Sequence, residues 1–195
     1  MLTVSRIILA PVAILFFWLD HHTKSSEEGL FKILSSEYNL FHLLGGLAFS
    51  CASFTDFLDG WLSRKWDAVS VFGKIFDPLA DKLLVNGTLI VFMISRKVLI
   101  AIASILILRD LIMDLIRLVF YRKRKVIAAI KTAKYKTATQ MAGLLVLIFV
   151  FPSYSVTSFW TLQTLFSQGL LFLSSVFSLV SFMQYIEILR YDGHN

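Results

Sequence analysis

Apolar runs of a length that suits a bilayer recur along most of this 195-residue chain, and no other feature narrows its possible folds so far. A helix needs about 17 to 25 predominantly apolar residues to cross the hydrocarbon core. Six spans are read, at 4–19, 38–62, 75–94, 98–121, 137–151 and 159–189, the last long enough to tilt. Hydrocarbon offers no partner to a backbone N–H or C=O, so a span is either a helix or a strand of a closed barrel. Barrel alternation is absent, which leaves an all-α membrane bundle of six transmembrane helices, one domain over 1–195. Composition agrees: 57% of residues are hydrophobic and 16% charged, against about 25% charged in soluble domains. Three prolines and nine glycines leave no room for a linker. Gly45 and Gly46 would let a neighbouring helix come close. Arg6 precedes an apolar stretch with no small-x-small cleavage site before Asp20, so the first span is read as uncleaved. Cys51 is alone, which excludes an intrachain disulfide or thiolate metal site.

The net charge of +6 is local. Tyr121 to Lys136, "YRKRKVIAAIKTAKYK", carries seven Lys or Arg and no acid. Beside a span, such a block points to a cytoplasmic loop facing anionic headgroups or phosphate substrates. No interleaved aromatic face accompanies it, so nucleic acid is not an expected partner. The loop after the second span holds Arg64, Lys65 and Lys74, whereas the first loop has two lysines against four acids. Both chain ends are therefore expected in the cytoplasm, with Arg96 and Lys97 the mild dissenters in an outer turn.

Within this apolar setting stand four aspartates in two pairs, Asp56 with Asp59 and Asp77 with Asp81. The spacings i,i+3 and i,i+4 put each pair on one helical face, near the cytoplasmic ends of the second and third spans. A carboxylate at mid-membrane costs roughly 2.5 to 3.5 kcal/mol, and four close together also repel one another. Salt bridges to Arg64, Lys74 and Lys82 would neutralise them, and a proton or ion path would use them. A divalent metal held together with substrate phosphates fits hard, paired oxygen ligands better. Gly60 and Gly73 lack side chains where a bulky ligand could approach, and Pro78 suits a first turn or a kink that aims Asp77.

The spacing Asp56-x2-Asp59-Gly60-x2-Ser63-Arg64-x8-Gly73-x3-Asp77-x3-Asp81 resembles the signature of the CDP-alcohol phosphatidyltransferases, with Ser63 in place of the family's alanine. The resemblance covers nearly the whole chain. "LTVSRIILAP", "TDFLDGWLSRK", "FGKIFDPLADKLL" and "KYKTATQM" are similar to the branch that makes phosphatidylglycerophosphate, while Asp110 stands where that branch has glutamate. The resemblance implies transfer of a phosphatidyl group from CDP-diacylglycerol to glycerol 3-phosphate with release of CMP. It implies Mg²⁺ or Mn²⁺ held by Asp56, Asp59, Asp77 and Asp81, with Asp81 also the general base. Asp56, Asp59, Gly60, Ser63, Arg64, Gly73 and Asp77 would bind CDP-diacylglycerol. It further implies a bacterial inner-membrane enzyme whose site faces the cytoplasm, in contact with membrane lipids, and a homodimer.

A phosphorylated acceptor needs a cationic pocket. By resemblance its phosphate ligands are Arg117, Lys134 and Lys136, with Thr137 and Gln140 beside Lys136 on the same helix. Arg109, Asp110, Asp114 and Arg117 fall within about 140° of helix circumference, which also suits a network that only packs helices. Two other readings stay open: a related enzyme with phosphatidylglycerol as acceptor, and a cation transporter using the aspartates. His21, His22 and His42 have no metal-ligand partners in the sequence and enter no site.

Overall fold

The computed structural model describes the backbone of residues 2–25, 39–66, 71–122, 131–151, 155–156 and 162–192. It describes side chains over 6–23, 39–55, 82–116, 132–151, 155–156, 162 and 164–187. The described residues form six helices and no β-strand element: α1 (Leu2–Ser25), α2 (Leu40–Trp66), α3 (Val71–Ile94), α4 (Ile100–Arg122), α5 (Lys131–Phe149) and α6 (Leu162–Asp192). Each overlaps one expected span. The largest shifts are equal: α1 runs on to Ser25 rather than ending at 19, and α5 begins at Lys131 rather than at 137. Hydropathy marks where lipid starts, but lysine and alanine are good helix formers, so α5 runs on into the basic segment. One stretch among the described residues, Thr164–Glu187, is long and apolar enough by itself to cross a membrane. Leu40–Thr55 and Lys82–Ile94 are shorter apolar helices.

The chain divides into two compact units. The first comprises Met1–Lys97 with Leu145–Ser155, and the second Val98–Leu144 with Val156–Asn195. In the first, α1 packs on α2 and α3 through a core of Ala10, Ala13, Phe17, Phe49, Ala52, Leu84, Leu89 and Phe92. Small residues set the approach, as expected for Gly45: a Cβ there would come 2.9 Å from the Phe17 ring, and one on Gly87 would run into Ile14. Phe17 meets Phe92 edge-on at 5.0 Å between ring centroids. The end of α3 is a Schellman turn. Lys97 N–H donates to Phe92 O at 2.8 Å and Arg96 N–H to Met93 O at 3.1 Å, with Arg96 in the left-handed region at φ 54°.

In the second unit α4 packs on α6, and α5 joins them through Gly143 against Leu171 and the ring pair Tyr135–Phe177. The α6 pattern reverses what water would impose. Thr164, Ser167, Gln168, Ser174, Ser175, Ser178 and Ser181 are buried, while Leu165, Phe166, Phe172, Leu179 and Met183 are exposed. A helix surrounded by lipid gains nothing by hiding leucine and gains by pairing its hydroxyls inward. The sequence carries the same message in its apolar length, and here it appears as a face.

Candidate functional site

The signature residues occupy two helices of the first unit. Asp56, Asp59, Gly60, Ser63 and Arg64 lie on α2, and Gly73, Asp77 and Asp81 on α3. The two helices pack together. Helical spacing puts Asp56 with Asp59, and Asp77 with Asp81, at positions sharing one side of their helices. The side chains of all eight lie outside the described residues, as does that of Arg117 on α4. Just before the signature, α2 is well formed: Thr55 Oγ1 donates to Ala52 O at 2.8 Å and Ala52 is fully buried. Four carboxylates in two pairs on adjoining helices are a hard-oxygen donor set that suits a small divalent cation.

The second constellation lies in the second unit. Lys136 on α5 is buried, 4% exposed, and its Nζ donates to both carboxylate oxygens of Asp110 on α4, at 2.7 and 2.6 Å. Arg109 Nη1 donates to Asp110 Oδ1 at 3.2 Å, and Arg109 Nη2 to Ser181 Oγ on α6 at 2.8 Å. The α5 backbone is fixed beside this triad: Ser174 Oγ donates to Lys136 O at 3.0 Å and Thr132 Oγ1 to Gln184 Oε1 at 2.8 Å. Breaking such a buried pair by removing one member costs about 3–5 kcal/mol. Two buried donors in the same unit, Arg109 Nε and Gln140 Nε2, find no hydrogen-bond partner among the described residues, and Ser178 Oγ is likewise unmatched.

Lys134 is exposed, two residues before Lys136 and so on roughly the opposite side of α5 from the buried seam. Thr137 Oγ1 donates back to Ala133 O at 3.2 Å, so it serves its own helix. The α6 partners Ser174, Ser181 and Gln184 were not anticipated. Their only sequence signal is serine recurring at helical spacing within an apolar run.

A separate network closes one end of the first unit. Asp20 on α1, His42 on α2 and Lys97 after α3 are all buried. His42 Nε2 lies 2.9 Å from Ile148 O, and since a carbonyl only accepts, Nε2 carries the hydrogen. His42 Nδ1 lies 3.1 Å from both Asp20 Oδ2 and Lys97 Nζ, while Asn39 Nδ2 donates to Asp20 Oδ1 at 2.9 Å. Lys97 Nζ also reaches Asp20 Oδ2 at 3.4 Å. Lys97, read from sequence as a dissenting loop charge, is thus compensated by Asp20.

Comparison with known proteins agrees with the signature. Residues 1–180 match the family model described as CDP-alcohol phosphatidyltransferase. The chain is 38% identical to a Mycoplasma genitalium protein named CDP-diacylglycerol–glycerol-3-phosphate 3-phosphatidyltransferase, over 94% of this chain and 80% of that protein. A Mycoplasma pneumoniae protein of the same name is 36% identical over 95% of this chain and 84% of its own length. A third, from Bacillus subtilis, is 30% identical over 80% of each.

Proposed function

The chain belongs to the CDP-alcohol phosphatidyltransferase family, and from that premise we propose that it couples CDP-diacylglycerol to sn-glycerol 3-phosphate, giving phosphatidylglycerophosphate and CMP. The observation that carries this is the eight-position signature, kept in every spacing across α2 and α3. Its setting adds support: relatives named for this reaction match along most of the chain. The family is membrane-associated and generally depends on a divalent metal.

In this reading Asp56, Asp59, Asp77 and Asp81 hold Mg²⁺ or Mn²⁺. When bound, the metal neutralises the diphosphate and stabilises charge on the departing CMP. Gly60, Ser63, Arg64 and Gly73 cradle the cytidine diphosphate portion. Asp81 accepts the proton of the acceptor hydroxyl, whose oxygen bonds to the phosphatidyl phosphorus as the phosphorus–oxygen bond to CMP breaks. Arg117, Lys134 and Lys136 grip the acceptor phosphate. The exposure of Lys134 and the cationic character of the Lys136 seam fit an anion arriving from water. The six helices span a bacterial inner membrane as one catalytic domain, site toward the cytoplasm, and two copies pair. The outward apolar face of α6 supports the membrane part of this reading.

The test is a membrane assay with CDP-diacylglycerol, Mg²⁺ or Mn²⁺, and competing acceptors. CMP release with glycerol 3-phosphate is expected. Activity with phosphatidylglycerol and none with glycerol 3-phosphate overturns the assignment. Asp81→Asn is expected to abolish turnover while CDP-diacylglycerol still binds, and near-normal turnover would remove the general-base role.

A further inference from the structure

We infer that Asp110 is a positioning residue for acceptor binding: its carboxylate holds the Lys136 ammonium in place for the acceptor phosphate, and Arg109 and Ser181 hold the carboxylate. This rests on the reading of Lys136 as an acceptor ligand. A lysine stem loses about 2 kcal/mol of rotamer freedom when fixed, so a defined ammonium position needs a partner that over-determines it. Asp110 does so with both oxygens, reaching from α4 to α5 at 2.7 and 2.6 Å. Burial makes the partner obligatory as well, because a charge taken out of water needs a counter-charge, and Lys136 is buried. Asp110 cannot swing away, since Arg109 grips Oδ1 and is itself tied to Ser181 on a third helix.

The alternative is a network that only packs helices. Such networks normally close, because each unmet buried donor carries a desolvation cost. This one is open. Arg109 Nε and Gln140 Nε2, the latter one turn beyond Lys136 on α5, are buried donors with no partner among the described residues. Within the triad two cations share one carboxylate. The seam has N–H donors to offer, and a phosphate dianion supplies acceptor oxygens. The Asp110 carboxylate also repels that dianion, so the phosphate must approach Lys136 from the side away from that carboxylate. The pair therefore sets direction as well as distance.

The experiment is a double-mutant cycle on the full-length protein in reconstituted vesicles, with KM measured separately for glycerol 3-phosphate and CDP-diacylglycerol. Asp110→Asn is expected to raise the acceptor KM about ten- to a hundredfold, the worth of a lost charged hydrogen bond, and to leave the lipid KM unchanged. Asp110→Glu, which keeps the charge, is expected to restore most of it. In a Lys136→Met background Asp110→Asn is expected to add nothing. Should the single variant fail to accumulate, Arg109→Gln/Asp110→Asn keeps the seam's net charge and is run in the same two backgrounds. An equal rise in both KM values, or the same rise with and without Lys136, overturns the inference while leaving the reaction assignment intact. If Lys136→Met itself leaves the acceptor KM unchanged, Lys136 is no ligand, and the inference falls with that part of the reading. The acceptor competition assay above still judges the reaction independently.

Discussion

In the first unit, Asn39 and Lys97 donate to Asp20, His42 donates from Nε2 to Ile148 O, and none of these side chains has an unmatched buried polar atom, although Ser53 Oγ and Asn86 Oδ1 elsewhere in that unit do among the described residues. In the second, Arg109, Asp110, Lys136 and Ser181 make bonds as short, yet Arg109 Nε, Gln140 Nε2 and Ser178 Oγ stay unmatched among the described residues. Both clusters bury charge in helices whose exposed faces carry large apolar side chains. A closed cluster converts its bonds into a fixed arrangement of helix ends. An open one keeps part of its hydrogen-bonding capacity for something that arrives later. In the proposed reading, closure, rather than burial or charge, separates this fastening from the acceptor seam.

Substitutions can break that contrast. The largest effect is expected from Asp20→Asn, which removes the carboxylate beside buried Lys97 and costs about 3–5 kcal/mol. A thermal melt in detergent should show the loss, while the ratio of acceptor to lipid KM in the surviving protein stays at the wild-type value. A selective change in acceptor KM would mean that the closed cluster also serves the site. Next comes Ser181→Ala, which removes the acceptor for Arg109 Nη2 and should cost about 1.5–3 kcal/mol of interaction with a charged group. Its expected signature is a raised acceptor KM with the lipid KM unchanged. Gln140→Leu sharpens the contrast further. Deleting an unmatched amide should leave the melt within about 1 kcal/mol of wild type and raise the acceptor KM about three- to tenfold. A stabilised protein with an unaltered acceptor KM would reclassify the seam as packing. The smallest effect belongs to Arg96→Gly. Glycine relieves the left-handed φ of 54° at the end of α3, and the melt should rise by the equivalent of less than about 1 kcal/mol with no kinetic change.

The order and number of helices were legible because apolar length and helical backbone are linked by the absence of water in lipid. The boundary of α5 was not, since Lys131 to Lys136 are polar and helical at once. The signature on α2 and α3 was legible residue by residue, because its spacing is a strict function of helical register. Lys136 was picked out for its charge, but nothing in the sequence said that Asp110, 26 positions earlier, would meet it. His42 shows the same limit. Its partners lie 22 and 55 residues away on other elements, and a single histidine in an apolar stretch carries no trace of them. Buried polar pairs between helices are set by which faces meet, and an apolar exterior exerts no pattern that records them.

The hydroxyls of α6 act in opposite senses: Ser174 gives its proton to the Lys136 carbonyl, and Ser181 accepts one from Arg109. Both are fully buried, and each partner fixes the sense of its bond: a carbonyl can only accept, and a guanidinium can only donate. Two turns apart on α6, one residue type thus fastens a neighbouring backbone at one level and a buried cation at the next, without any charge of its own.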